Sequence, residues 1–361
     1  MVTNSGVYIH IPFCAKKCNY CNFYSLSGKE SLMDAYADAL VGEINNFPEK
    51  RTIDTIFMGG GTPSLLPLPL LERIMSALYR RFSLHKNCET TIEVNPKTLD
   101  DFRSLKNIGF NRVSLGAQSA INSELSLLGR IHTHEDFLRA YHLARAHFTN
   151  INVDLMFGIP DQTLASWEQT LSGILRLAPE HISCYSLSIE KNTPFENARL
   201  NLPDEDTERA MYARISDFLP GYHHYEISNW AIAGYECRHN LKYWNLADYI
   251  GFGAGAHGYA SSVRTANTAD IEGYISGEQP KRAINSASDD IAEFMFLGLR
   301  QIDGISIKRF KSIFKTDIFS LYGAIIEKYL RLKIMELNGG KLRLSTRGIE
   351  VSNRVLCDFL P

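Results

Sequence analysis

From Val7 to Leu187 the chain alternates short runs rich in β-branched and aromatic residues with longer stretches of helical period, and no other feature limits its fold so tightly. The strand candidates are Val7–Ile11, Thr55–Met58, Thr90–Val94, Arg112–Leu115, Ile151–Phe157 and His181–Leu187. Helical patterns fall between them at Leu32–Phe47, Leu68–Phe82, His134–Phe148 and Leu164–Leu177. In the third of these, Phe137, Ala140, Tyr141, Ala144 and Phe148 line one face. Strands that alternate with helices pair in parallel and are covered by those helices. Six such units fall short of the eight that close a full barrel, so residues 1–190 are expected to form an open, partial (β/α)6 barrel of the α/β class.

After Pro194 the rhythm changes. Pro203–Leu219 reads as a helix with Asp204, Glu205 and Asp206 in its first turn, and Gly221–Tyr259 is rich in Tyr, His and Gly. Ile271–Asp289 is polar and weakly patterned, as a linker would be. Helices return at Ile291–Leu299 and Ile318–Leu332. Lys333–Leu337 and Lys341–Ser345 then flank Asn338-Gly339-Gly340 as a hairpin, and a last helix starts at Arg347. The expected organisation is a barrel core with its extension over residues 1–265 and a small winged-helix-like α+β domain over 285–361. A chain of 361 residues is long enough for both.

Net charge is only −2 and the winged segment lacks a concentrated basic face, which argues against a nucleic-acid partner. No apolar run approaches the ~20 residues of a membrane span, so an integral membrane protein is not expected. The start, MVTNSGVYIHIPF, lacks a basic region followed by an apolar stretch. A cytoplasmic location is the expectation.

Three of the seven cysteines, Cys14, Cys18 and Cys21, fall within eight residues just after the first strand. That is the carboxyl end, where sites on parallel sheets form. Spaced x3 then x2 on one loop, three thiolates can wrap one [4Fe–4S] cubane, whose fourth iron then stays open for a small molecule. A structural zinc would need four closed ligands. No second CxxC or HxxxH pair exists, although His10, Cys237 and His239 remain as donors. The other four cysteines read as buried small hydrophobes.

The string CxxxCxYC after a first strand resembles the signature of the radical S-adenosylmethionine (SAM) superfamily. The resemblance implies that the open iron chelates the amino and carboxylate groups of SAM. One electron from the cluster then breaks the S–C5′ bond to give a 5′-deoxyadenosyl radical. Gly59-Gly60-Gly61-Thr62-Pro63, after the second strand, resembles the family's GGGTP motif at the SAM amino group. Glycines let a backbone approach a ligand and expose N–H donors, so Gly60, Gly61 and Thr62 are expected contacts, and bulk at Gly60 or Gly61 is expected to weaken SAM binding while sparing the cluster. Glu93, Gln118 and Asp154 lie at the carboxyl ends of later strands, where a polar residue needs a partner. With Tyr8, Tyr20 and Arg130, they match SAM-binding positions of the oxygen-independent coproporphyrinogen III oxidase group, Arg130 facing the SAM carboxylate.

Cys237-Arg238-His239-Asn240-Leu241-Lys242-Tyr243-Trp244 and the loop from Gly251 to Gly258 are similar to the HNxxYW string and GxGAxA loop of the HemW branch, whose members are heme chaperones. The resemblance implies that His239 ligates heme iron, with Tyr243 and Trp244 as flat apolar surface beside it. His257, and after it His10, come next as heme ligands. The porphyrinogen-oxidising relatives carry a fourth cysteine where this chain has Phe23, and a longer extension than the thirteen residues before Cys14. Both departures favour heme binding and delivery. The implied cofactors are a [4Fe–4S] cluster, SAM and heme. The implied partners are a heme-accepting protein and a one-electron donor of flavodoxin or ferredoxin type. Oxidative decarboxylation of coproporphyrinogen, or another radical SAM reaction on a tetrapyrrole or a methyl acceptor, is the competing reading, and the sequence leaves SAM turnover open.

Overall fold

The computed structural model describes residues 4–360. Six β/α units occupy the first half: β1 (Ser5–Ile11), α1 (Met33–Asn46), β2 (Thr52–Gly60), α2 (Leu68–Arg81), β3 (Ser83–Val94), α3 (Phe102–Ile108), β4 (Arg112–Gln118), α4 (Asn122–Leu127), α5 (His134–Arg145), β5 (Ile151–Phe157), α6 (Leu164–Leu175), β6 (His181–Ser186) and α7 (Glu205–Phe218). Strands β1 to β6 lie side by side in chain order, and every neighbouring pair is parallel. This is the expected α/β fold with six parallel units.

Strand alternation sorts the residues onto two faces. Val7, Ile9, Ile56, Met58, Ile92, Val113, Leu115, Val153 and Leu155 form the main core beneath the helices. The other face carries Tyr8, His10, Thr55, Phe57, Glu93, Ser114 and Asp154, with ring and hydrogen-bond contacts crossing between strands. An apolar outer face covered by helices and a polar inner face are what make this sheet a site. Helices α5 and α6 each begin with a capping box, at Thr133/Asp136 and Thr163/Ser166, which sets where their apolar stripes start.

The stretch Gly221–Tyr259 widens the sheet at both edges. Strands β7 (His223–Glu226) and β8 (Asn229–Ala231) extend it antiparallel beyond β6. The chain then crosses through α8 (Arg238–Trp244) to β9 (Tyr249–Phe252), which runs parallel to β1. Strands β10 (His257–Ala260) and β11 (Val263–Ala266) follow antiparallel.

Here the structure corrects the sequence reading: Ile271–Asp289 is no simple linker. It contains α9 (Ile271–Ile275) and β12 (Lys281–Ile284), which ends the twelve-stranded sheet, and Ile271 and Tyr274 belong to the main core. Strand β12 is exposed along its whole length, so an edge strand with little to bury left no period to read.

The C-terminal region has its own core around Phe294, Met295, Phe310, Ile326, Leu342 and Phe359. It comprises α10 (Ala287–Gly298), β13 (Ile305–Ser306), α11 (Ile307–Phe314), α12 (Ile318–Arg331), β14 (Met335–Asn338), β15 (Lys341–Leu344), α13 (Thr346–Glu350) and α14 (Ser352–Cys357). The β14–β15 hairpin turns on Gly339 and Gly340, both at positive φ, and β13 joins it in a three-stranded sheet. No helix among the described residues is long and apolar enough to cross a membrane.

Candidate functional site

The cysteine loop is fastened to the barrel rim by backbone hydrogen bonds before any ligand is considered. Cys14 N–H donates to Leu26 O (2.9 Å) and Leu26 N–H to Pro12 O (2.6 Å), so the loop closes on itself. Asn19 N–H donates to Leu128 O (3.0 Å), its side-chain amide to Leu127 O (2.8 Å), and its carbonyl accepts from Phe195 N–H (3.1 Å). Cys14 is buried, with Sγ 3.5 Å from Thr62 Oγ1; Cys18 and Cys21 are half-buried. Enclosure pushes the Cys14 and Cys21 thiols up from their ordinary range.

All three thiols open onto one cavity of about 420 Å³ at the carboxyl ends of β1 to β6. Tyr20, Gly60, Gly61, Thr62, Glu93, Gln118, Arg130 and Asp154 line it with them. These residues, from strands β2 to β5 and three loops, meet because the strands are parallel and in sequence order.

Each polar wall residue is held. Arg130 Nη1 lies 3.5 Å from Cys18 Sγ and Nη2 donates to Gly116 O (2.9 Å), while its buried Nε has no partner among the described residues. Asp154 accepts from Ser114 Oγ (2.8 Å) and from the Asn152 amide (2.8 Å). Glu93 accepts from Gly60 N–H (3.2 Å); enclosure, and then the nearby Asp154, push its carboxyl up to about 8. The residue is therefore mostly protonated at neutral pH. Gln118 has φ 66°, a left-handed backbone that non-glycine residues rarely adopt, at the β4 end where the register against β5 shifts.

The glycine loop works differently from expectation. Gly61 N–H donates to Ile11 O (2.8 Å) and Thr62 N–H to Phe13 O (2.7 Å). With the Gly60 N–H on Glu93, the donors of all three residues are engaged inside the protein. The loop buttresses the cysteine segment: a Cβ on Gly61 would stand 2.7 Å from Phe13 O and 3.0 Å from Ile11 O. Gly60 has φ 113°, and a Cβ there would strike the His10 ring at 2.6 Å.

Two sequence-predicted residues stand apart. Tyr8 lies deeper in β1 and bonds His10 Nδ1 (2.9 Å); it lines a second groove rather than the cysteine cavity. His239 is wholly buried at the start of α8, whose N-terminus is capped by the Glu89 carboxylate accepting from the N–H groups of Arg238 and His239 (both 3.1 Å). Its Nδ1 pairs with Thr55 Oγ1 (2.9 Å) and its Nε2 with Tyr243 Oη (2.8 Å), and Phe57 stacks on the ring at 5.4 Å. Burial, then Lys242 and Arg112, lower it to about 3, so it stays neutral. No nitrogen of this ring faces open space, which corrects the expectation that His239 presents an imidazole to an iron.

The second groove, about 410 Å³, lies on the inner face of β1, β9 and β10. Tyr24, Tyr243, Trp244 and Tyr249 line it, together with His10 and His257. Phe23, two-thirds exposed (66%), lines both spaces. Of the groove's lining, sequence reasoning had named Tyr8, His10, Tyr243, Trp244 and His257 but missed Tyr24 and Tyr249, and it also missed Ser114 and Asn152 as holders of Asp154. The signal for the latter two was polarity recurring at every second position on the inner face of β4 and β5.

The donor set fits a cubane. Among the described residues no three His, Cys, Asp or Glu groups gather as a single-ion cage. A cubane instead takes each thiolate on a separate corner iron. The Arg130 guanidinium beside Cys18 suits an anionic cluster or a carboxylate.

Comparison with known proteins agrees. Residues 8–173 match the radical SAM superfamily profile and residues 285–351 the HemN C-terminal domain. The chain is 36% identical to the heme chaperone HemW of Lactococcus lactis, with 99% of this chain and 97% of that one aligned. It is 37% identical to that of Bacillus subtilis, at 98% and 99%. The HemW of Escherichia coli is 38% identical over 80% of this chain and 81% of its own. The solved coproporphyrinogen III oxidase HemN of Escherichia coli, a radical SAM enzyme, shares the fold at a TM-score of 0.86, with 23% identity over 99% of this chain and 90% of that one. A cluster loop, a rim of polar strand ends and relatives that match from end to end lead to one statement: the chain belongs to the radical SAM superfamily and, within it, to the HemW family.

Proposed function

We propose that this chain is a heme chaperone that holds a [4Fe–4S] cluster on Cys14, Cys18 and Cys21, binds SAM beside it, and passes heme to an acceptor protein. The observation that carries the reading is the single cavity onto which three thiols and the Arg130, Glu93, Gln118 and Asp154 side chains open, in a chain whose full-length relatives are named heme chaperones. When bound, the cluster supplies a one-electron route to SAM, and a flavodoxin- or ferredoxin-type donor would feed it.

The residues divide the work by charge. Arg130 sits where a carboxylate would be held, beside Cys18. A ligand ammonium needs acceptors; with the N–H groups of Gly60–Thr62 engaged and Thr62 O already accepting from Leu65 N–H (3.0 Å), the Gly60 and Gly61 carbonyls would supply them. Asp154, fixed by two donors, and Gln118 face the remaining polar groups, while Tyr20 lies against Arg130 and closes the wall. The shared fold of the porphyrinogen oxidase does not carry its activity here, and Phe23 in place of a fourth cysteine argues against it.

The test is anaerobic. Reconstituted protein should bind about four irons and four sulfides per chain, change its reduced EPR signal on adding SAM, and take up hemin saturably. A chain that binds cluster and SAM but no hemin, and that decarboxylates coproporphyrinogen, would reverse the assignment.

A further inference from the structure

Resting on the heme-chaperone reading, the geometry points to the aromatic groove between β1, β9 and α8 as the heme seat, with His257 as the imidazole that meets the iron and His239 as a positioning residue for Tyr243.

Availability of histidine nitrogens comes first. An iron ligand must present a ring nitrogen with its lone pair free. His239 has both nitrogens bonded, to Thr55 and Tyr243, and no exposure. His10 has both bonded as well, to Tyr8 Oη (2.9 Å) and Tyr24 O (2.8 Å). His181 is buried between Asn152 (2.6 Å) and Tyr225 (2.7 Å), and His224 stacks on Trp230 at 4.2 Å. His257 is the exception in the groove: it is exposed at the start of β10, and among the described residues no protein atom hydrogen-bonds its ring.

The walls suit a flat, apolar macrocycle. Tyr243 packs edge-on to Tyr249 at 4.6 Å, and Trp244 continues the surface. Tyr24 forms the opposite side, stacked on His10 at 5.9 Å and pressed against Gly255, whose added Cβ would meet the Tyr24 ring at 2.9 Å. The glycine-rich turn before His257 thus brings the imidazole and the Tyr24 wall together. A volume of about 410 Å³ is in the range of small-molecule sites. Phe23, left 66% exposed on the rim, is a large aromatic surface that an apolar occupant would cover. The groove is open on one side, which suits cargo that has to leave again.

The HNxxYW string then has a structural meaning. His239 and Glu89 lock the first turn of α8 into the barrel floor, and that lock aims Tyr243 and Trp244, one turn later, into the groove. The histidine acts through Tyr243. Heme in this groove would leave the cysteine cavity free for SAM, with Phe23 as the wall between the two.

The experiment is an anaerobic hemin titration of the cluster-loaded full chain, read at the Soret band, for the unaltered protein, His257→Ala and His239→Gln. The unaltered chain should saturate at one hemin. His257→Ala, an exposed position that folding tolerates, should bind about tenfold or more weakly with a displaced Soret maximum, and added imidazole should return the maximum to its place. His239→Gln should keep the original maximum whatever its affinity, because it alters the seat and not the ligand. An unchanged maximum and affinity in His257→Ala overturns the seat while leaving the heme reading intact. Displacement of the maximum in His239→Gln alone, with the variant still folded by circular dichroism, makes His239 the ligand and overturns it too. Failure of the unaltered chain to bind hemin removes the heme reading itself.

Discussion

Arg130, half-buried on the loop after α4, stands 3.5 Å from the sulfur of Cys18, and its second guanidinium nitrogen is tied to the Gly116 carbonyl. The fork therefore bridges the cluster loop and the end of β4, with its buried Nε still unpartnered among the described residues. Arg130→Gln removes a fixed positive charge from both the cluster and the site of a ligand carboxylate. SAM affinity should fall about tenfold or more, the scale of a lost charge-assisted hydrogen bond (about 1.5–3 kcal/mol). The reduced cluster carries more negative charge than the oxidised one, so loss of the cation should also make its potential more negative. A redox titration that finds the potential unmoved or raised would refute the electrostatic role.

Gly61 and Phe13 are in contact through backbone alone. A Cβ at Gly61 would overlap the Phe13 carbonyl oxygen, two of whose neighbours in the chain are Pro12 and Cys14. Backbone cannot swing aside as a side chain does, so Gly61→Val should displace the cysteine loop and lower cluster occupancy, beyond any effect on SAM. Iron and sulfide analysis after reconstitution decides this. Full occupancy with weakened SAM binding would restore the expectation from sequence, in which the loop touches only the ligand.

How much of this was legible depended on repetition. The six parallel strands were readable because each buries one face under a helix, which forces an apolar run with a period. The cluster cysteines were readable because their spacing is itself the chemistry. Strands β7 to β12 were not, since they are short, sit at sheet edges and take their order from a long crossover through α8. His239 shows the limit most clearly. A histidine in a motif looks identical whether its nitrogens are free or bonded to Thr55 and Tyr243, residues 184 positions away in one case and four in the other. The groove likewise joins residues from β1, the cysteine loop, α8, β9 and β10, which no local pattern brings together.

Cys21 is the most accessible test of the cluster assignment. It lies on a half-buried loop position, bonded through its N–H to Cys18 O at 3.2 Å, outside both hydrophobic cores. Cys21→Ala should leave far-UV circular dichroism and the melting temperature of the cluster-free chain nearly unchanged. The same variant should lose most of the iron, because two thiolates cannot hold the cubane. A Cys21→Ala protein that reconstitutes to full iron and sulfide would mean that another residue supplies the third ligand.

Glu93 gives the pH prediction. Its carboxyl, ordinarily near 4.5, is raised to about 8 by enclosure and by Asp154, with the Gly60 N–H opposing. Between those values the folded chain holds a proton that the unfolded chain has released. The stability tied to this group is therefore fully present below about pH 4.5 and is lost as pH rises through 8, with a slope of at most about 1.36 kcal/mol per pH unit. Glu93→Gln has the same shape and never ionises. Without SAM, variant and parent should melt together near pH 5, and the variant should be the more stable by pH 8.5, the gap widening steadily between. Comparing the two proteins at each pH cancels every other titrating group. A gap that is flat with pH, or one that widens toward acid, would show that Glu93 is ionised in the folded protein and that the cavity is more polar than its walls imply.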